Sequence, residues 1–451
     1  MKVGWKKSVV SLGALLVASV WGVAPDFPVA GWATQNGGTI GGNGKTEVTV
    51  ENVSDLRKYA KAGNHIIYVK PGTYKVPSKD AIKVGDNVTI YGYRGAVLEQ
   101  TKTSTKNEDN TVVSVEGKNV IIRNLIFKGA GALDLDAGDC IHVKGGTNVW
   151  IDHVEIFDGQ DGNLDVINGA DYVTISWTKF HYTEASTEHM FSNLIGNSDS
   201  KTSDQGKLKT TIHHSWWGKG VKERMPRVRY GEVHIANNLF SSDASSTCVR
   251  AGKMANLRVE NNVFIGVNNP IDLYNGDFTA VASSGNYKEN VKKGDDAGRG
   301  TAFVPPYAMA LTDVGSRQKA YALKDSIELF AGATLANPDG SDSGVSSSAE
   351  MVSSSSSKML ESSSSRADVS DGDEPPQAIF PTEHSQLAFS VEGRTLNVTS
   401  AKNGARLLVC DLQGRVLQKK IVSGERFSVE ISRPGTYLVK IGTELAKFRI
   451  R

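Results

Sequence analysis

The stretch Asn148-Val149-Trp150-Ile151-Asp152-His153-Val154-Glu155-Ile156-Phe157 decides the fold. Apolar residues alternate, a polar corner interrupts them, and a second short apolar run follows. Alternation of period two marks a strand with one buried face. The same phrase returns at 87–91, 119–127, 172–180, 232–240 and 256–264. The copies recur every ~22–38 residues, which is a solenoid period. Asn often holds the corner, because it tolerates left-handed backbone and bonds its own main chain. Stacked coils of this kind form a parallel β-helix, each coil burying its inward residues against the next. Corner Asn and Asp residues can then build hydrogen-bonded ladders. A β-propeller would need longer repeats of antiparallel strands. Residues 56–62 read as a short helix that caps the first coil.

Working outward, the 451-residue chain has room for one large and one small domain. It holds 46 Gly and 13 Pro, which favours turns over helix. Charged residues make up 22% and the net charge is +2, so no global field draws nucleic acid or a membrane surface. Residues 1–24 read as a secretory signal: Lys2, Lys6 and Lys7, an apolar run from Val9 to Val20, then Gly22-Val23-Ala24. The run is too short to span a bilayer comfortably. The coil domain is expected over 25–340.

Residues 341–377 are a Ser-rich segment with too little apolar content to order itself, hence a flexible linker. Residues 378–451 return to short alternating strands and predict a small all-β sandwich. Within it, Asp411-Leu412-Gln413-Gly414-Arg415 and the run from Pro434 to Ile441 resemble C-terminal sorting or surface-attachment modules of bacterial secreted enzymes. Secretion machinery or a cell surface is the partner this implies; the enzyme itself is expected to be a monomer. Cys140 and Cys248 lie about four coils apart. At ~4.8 Å per coil that is near 20 Å, too far for a disulfide.

Two acidic loops stand out. Asp161-Gly162-Asn163-Leu164-Asp165 precedes the Tyr172 coil, and Gly138-Asp139-Cys140-Ile141 precedes the Val149 coil. If coils stack in register, these loops lie one above the other. Three gathered carboxylates repel unless a cation joins them, and Ca2+ takes such oxygen ligands in flexible geometry. Downstream, Arg224-Met225-Pro226-Arg227-Val228-Arg229 sets three cations around one proline. Pro226 argues against a regular central strand through the motif. Arg227 and Arg229 share a face if the strand resumes after it. A local cationic cluster beside a carboxylate-bound cation suits an anionic substrate.

Trp150-Ile151-Asp152-His153, the acidic pair, the Arg-x-Pro-Arg-x-Arg run, the phrase from Gly196 to Lys209 and the opening Gly31-to-Gly38 stretch resemble family 1 of the polysaccharide lyases, the pectate lyases. The likeness covers about residues 31–335. It implies a right-handed parallel β-helix that cleaves polygalacturonate, the pectin backbone, by β-elimination outside the cell. By matched position it implies Asp139, Asp161 and Asp165 as Ca2+ ligands, Arg224 as the base and Arg229 on substrate. Arg227 is assigned to secondary substrate contacts or structure. The C5 proton, alpha to a carboxylate, is barely acidic, and a bridging cation stabilises the charge left when it departs. An arginine base must be desolvated and crowded by other cations, since its free pKa is above ~12.

One departure bears on affinity. The family carries a substrate-binding Lys before the Leu-Ile-Gly phrase. Here Glu188-His189-Met190-Phe191-Ser192-Asn193-Leu194-Ile195-Gly196 has no Lys or Arg at that place, and the loop from Tyr182 to Glu188 is longer. His189 is the candidate to supply a weaker substrate contact, or else it is a packed histidine. His213 and His214 read as coil packing, and Trp216 and Trp217 read either as core packing or as rings that stack on sugars. Rival functions are a pectin lyase on methyl-esterified polymer, for which a cation site is unnecessary, a polygalacturonase-type hydrolase, which would need paired carboxylates as acid and base, and a non-catalytic pectin-binding surface protein.

Overall fold

The computed structural model describes residues 27–102, 109–133, 138–293, 298–339 and 341. Beyond these it describes 388–392, 394–399, 406–411, 416–421, 426–431, 435–441 and 444–450. The expected signal at 1–24 lies outside the described residues, as does the linker apart from Ser341.

Three sheets of ten, nine and eight strands form the large body, and every pairing within them is parallel. From Val88–Gly92 onward each strand pairs with the strand three elements later, so one strand per sheet completes a coil. This is a parallel β-helix. Its core is built of register columns. In the ten-stranded sheet Ile67, Ile90, Ile122, Ile151, Ile175, Ile212 and Ile235 stand one above the next, all buried. A buried side chain of this size contributes roughly 1.5–3 kcal/mol. In the nine-stranded sheet Phe180, Trp217, Phe240 and Phe264 stack with ring centres 5.3, 4.7 and 4.4 Å apart. Trp217 is therefore core.

The corners behave as the Asn pattern predicts. Asn87, Asn119, Asn148, Asn124, Asn237 and Asn261 all have positive φ, between 54° and 60°. Side-chain amides link coil to coil: Asn119 donates to Asn87 (2.8 Å), Asn87 to Asn64 (3.1 Å), Asn238 to Asn262 and Asn262 to Asn286 (3.0 Å each). Polar corner groups are thus satisfied within the solenoid. Helix Val53–Ala62 closes the first coil, with Leu56 and Ala60 buried. Asn52 caps it by accepting from the Asp55 N–H at 2.9 Å.

Part of the outer face of the ten-stranded sheet is covered by the 3-10 turn Gly31–Thr34. Trp32 and Ala33 donate backbone N–H groups to Thr211 and Thr174. Residues 332–337, beyond helix Arg317–Phe330, bond back to Trp177, Asn124 and Arg94. The candidate residues lie along the eight-stranded sheet and in the loops at its strand ends. Cys140 and Cys248 are buried and free. They precede strands four steps apart in that sheet, as the coil count requires. Towards the C-terminus, seven antiparallel strands form a three-stranded and a four-stranded sheet.

Candidate active site

The eight-stranded sheet puts one register position of each coil on its outer face. Ser114 faces His142 and His142 faces Asp165. Leu194 lies next, donating its N–H to Asp165 Oδ1 at 2.7 Å. Leu194 faces Arg227, Arg227 faces Arg250, and Arg250 faces Asp272. His142 and Asp165 stand towards one end of this column and the two arginines towards the other, with Asp272 beyond them.

At the acidic end Asp139, His142 and Asp165 each offer a ligand atom, all within 4.8 Å of one another. Asp139 Oδ2 lies 2.5 Å from His142 Nε2. Thr111 Oγ1 lies 3.2 Å from His142 Nδ1. Burial pushes the Asp165 carboxyl well above the usual range, and the charge of Asp139 pushes the same way. His142, the Leu194 N–H and Arg224 oppose this without overcoming it. Burial lowers His142, but Asp139 outweighs it and raises the imidazole to about 9. Protonated His142 pairs with Asp139 in the metal-free chain, and two carboxylates and an imidazole this close form a donor set that a divalent metal ion fits once that proton leaves.

Of the three aspartates expected as ligands, the structure brings Asp139 and Asp165 together. Asp161 stands apart, with its Oδ1 3.3 Å from His189 Nε2. His189 is therefore turned towards an acid, and its ring rests 4.3 Å from that of Phe191. Gly162 is needed between the two loops, because a Cβ there would fall 2.3 Å from Asp139 Oδ1.

At the basic end the strand is only Arg227–Val228, as Pro226 led one to expect. Arg224 sits just before it with φ 58°. Its carbonyl accepts from the Asn193 N–H at 2.7 Å, and its guanidinium lies 4.9 Å over the Phe191 ring. Arg229 is buried: Nη1 donates to the Gly196 carbonyl at 2.7 Å and Nε to the Asp199 carboxylate. Arg227 and Arg250 share the ring of Tyr274, at 5.4 and 4.9 Å. Burial lowers the Arg227 pKa from its ordinary value, and the charges of Arg229, Arg250 and Arg224 add to this. Arg227 Nε is buried with no hydrogen-bond partner among the described residues. Arg250 is neutralised by Asp272 at 2.8 Å and Glu223 at 3.4 Å.

His142, Arg250, Phe191 and Tyr274 were missed from sequence. The one available signal was alternation: in Ile141-His142-Val143-Lys144 and Val249-Arg250-Ala251 the polar residues must face outward. His213 is buried and His214 half-buried, with Nδ1 atoms 2.9 Å apart.

A family model described as pectate lyase matches residues 7–297. The chain belongs to the pectate lyase family. Among its relatives is a pectate trisaccharide-lyase from Thermotoga maritima, 34% identical over 211 residues. That match takes in 45% of this chain and 53% of the relative, so the chain spans about half of the relative's length. A pectate lyase from Bacillus subtilis is 30% identical over 321 residues, with 52% of this chain and 74% of the relative covered. Among solved structures, a Bacillus pectate lyase in complex with trigalacturonate superposes with a TM-score of 0.53 at 24% identity. It covers 68% of this chain and 98% of its own, a likeness of fold. Among the described residues of this pectate lyase family member, no helix is long and apolar enough to cross a membrane.

Proposed function

We propose that the protein is an extracellular pectate lyase that cleaves polygalacturonate by β-elimination. The observation that carries this reading is the shared sheet: a buried carboxylate pair stands on one group of coils and the arginine segment on the coils that follow. Opposite charges set on neighbouring coils suit an anionic sugar chain.

Arg224 is the base. A guanidine nitrogen takes the C5 proton, the freed electron pair forms the C4–C5 double bond, and the C4–O bond to the next sugar breaks, its oxygen leaving with that bond's pair and taking a proton from solvent water. Arg227, crowded by the other arginines, meets a substrate carboxylate through the exposed edge of its half-buried guanidinium. Arg229 is tied to Asp199 and Gly196, so it holds the wall behind Arg224 and meets substrate through its remaining edge. His189, set against Asp161, stands near where the family's Lys would contact substrate. Asp139 and Asp165, with His142 beside them, would hold the cation, and Ca2+ is the one the family likeness implies. When bound, it withdraws charge from the substrate carboxylate and so acidifies the C5 proton.

The solenoid is read as right-handed, as parallel crossovers are. Residues 1–24 are read as its export signal, 25–340 as the lyase domain, 341–377 as a linker and 378–451 as a sandwich for sorting or surface attachment. The deciding test is absorbance of an unsaturated product from polygalacturonate, with Ca2+ and with chelator. Product on methyl-esterified pectin alone, or hydrolytic ends without unsaturation, would replace this reading with one of its rivals.

A further inference from the structure

The acidic end of the site differs from the all-oxygen site expected for calcium. Its third donor is an imidazole. Asp161, the third carboxylate of the expected set, is paired with His189 and lies outside the cluster. His142 is also held as a ligand is held. Its strand places it directly opposite Asp165. Its Nδ1 lies 3.2 Å from Thr111 Oγ1, and the Thr111 backbone N–H donates to Asp109 Oδ1 at 3.1 Å. The Thr111 contact on Nδ1 leaves Nε2 directed at the carboxylates, 2.5 Å from Asp139 Oδ2, and outer groups orient metal-bound histidines in this way.

We propose that this site takes a first-row divalent transition cation, of the Mn2+, Co2+ or Ni2+ kind, more tightly than it takes Ca2+, with His142 Nε2 as a ligand beside Asp139 and Asp165. The physical reason is donor chemistry. Calcium gathers six to eight hard oxygens, roughly, and gains little from an imidazole. Nitrogen suits the later first-row ions, whose affinity for a mixed site rises from Mn2+ to Ni2+. Three protein donors leave positions of an octahedral ion open for water or for an anionic ligand. The inference concerns the same site as the lyase reading and rests on that reading only for what the open positions receive.

The test is calorimetric titration of the metal-free full chain with NiCl2, MnCl2 and CaCl2. Ni2+ is expected to bind at least about tenfold tighter than Ca2+, with Mn2+ between. His142→Gln keeps the size but replaces nitrogen by oxygen. It should weaken Ni2+ about 10–100-fold and leave Ca2+ within about threefold. Thr111→Val retains all three donors and should weaken Ni2+ alone by about tenfold. Spin-echo spectra of the Mn2+-loaded protein should show nitrogen modulation that His142→Gln abolishes. Calcium binding as tightly as Ni2+, or unchanged Ni2+ affinity in a folded His142→Gln chain, overturns the proposal. Product formation from polygalacturonate is read separately. No unsaturated product with any of the three cations would sink the lyase reading and leave the metal preference standing.

Discussion

The guanidinium of Arg224 lies 4.9 Å above the ring of Phe191, and Phe191 is bridged to Glu223, the residue before that arginine. The ring belongs to the stretch where the family carries a substrate-binding Lys. A ring face attracts a cation by about 0.5–1 kcal/mol at exposed sites, so Phe191 fixes where the guanidinium stands. It also removes water from one side of the group. Position comes from the ring and crowding from the neighbouring arginines.

Arg224→Lys is expected to keep the fold and lose turnover by about 100-fold or more, the usual worth of a positioned base. Lysine keeps the charge but lacks the planar fork that spans ring and substrate. Initial rates on polygalacturonate, beside a circular dichroism melt, check this. Turnover within a few-fold of wild type in a folded variant would remove Arg224 from the base role.

Asp165→Asn should raise stability in chelator and abolish stabilisation by metal. In the metal-free chain Asp165 is buried against a second carboxylate, and the amide removes that repulsion. A ligand at a hundred times its dissociation constant adds about 2.7 kcal/mol to a site that binds it. Melts with and without divalent cation should therefore cross over between wild type and variant. A variant that melts lower in chelator, or gains as much from metal, contradicts the cluster as described.

Much of this was legible in sequence. The coil was, because strand alternation and Asn corners are local signals, and Asn87, Asn119 and Asn148, which open three of the copies, took left-handed corners. The short strand at Pro226 followed from local chemistry too. The make-up of the metal cluster was not legible. His142 joins Asp165 only because strands more than twenty residues apart pair at that register. Nor does any local signal pair Asp161 with His189, since that depends on how the long loop after Tyr182 returns across the coil. Sequence spacing supplies the acids; inter-coil register chooses among them.

Stability of the metal-free protein should peak near pH 6.5 and fall on both sides. On the acid side, burial holds His213 down at about 4, with His234 and His153 adding to this and Asp152 opposing. His214 and His153 are also lowered, by burial first. These imidazoles stay neutral when folded but take protons when unfolded below about 6.5. Their contribution is complete above that value and is lost as pH falls towards 4, about 3 kcal/mol for His213 alone. His142 has the opposite sign. Raised to about 9, it contributes fully below 6.5 and loses that contribution as pH rises through 9. Urea unfolding at pH 4.5, 6.5 and 9 checks both limbs. A flat acid limb, or one unchanged in His213→Asn, would count against the buried histidines.

Asn193 joins the two ends of the site, and its removal should cost both stability and turnover. Its side-chain amide accepts from Trp217 Nε1 at 2.8 Å and donates to the Leu164 carbonyl at 2.9 Å, beside Asp165. Its backbone N–H reaches the Arg224 carbonyl at 2.7 Å, and its carbonyl accepts from the Arg227 N–H at 3.1 Å. One fully buried residue therefore ties the aromatic column, the carboxylate strand and the arginine segment together. In Asn193→Ala the Trp217 N–H and the Leu164 carbonyl are left buried without that partner, each at about 1–3 kcal/mol. Loosened backbone at Arg224 should lower kcat more than it raises KM, because the proposed base is displaced while Arg227 stays over the ring of Tyr274. Trp217→Phe keeps the ring column and removes only the N–H. It should show a smaller loss of stability and the same kcat-weighted pattern. Equal stability in Asn193→Ala and wild type, or a change confined to KM, would show that the two ends of the site are held independently.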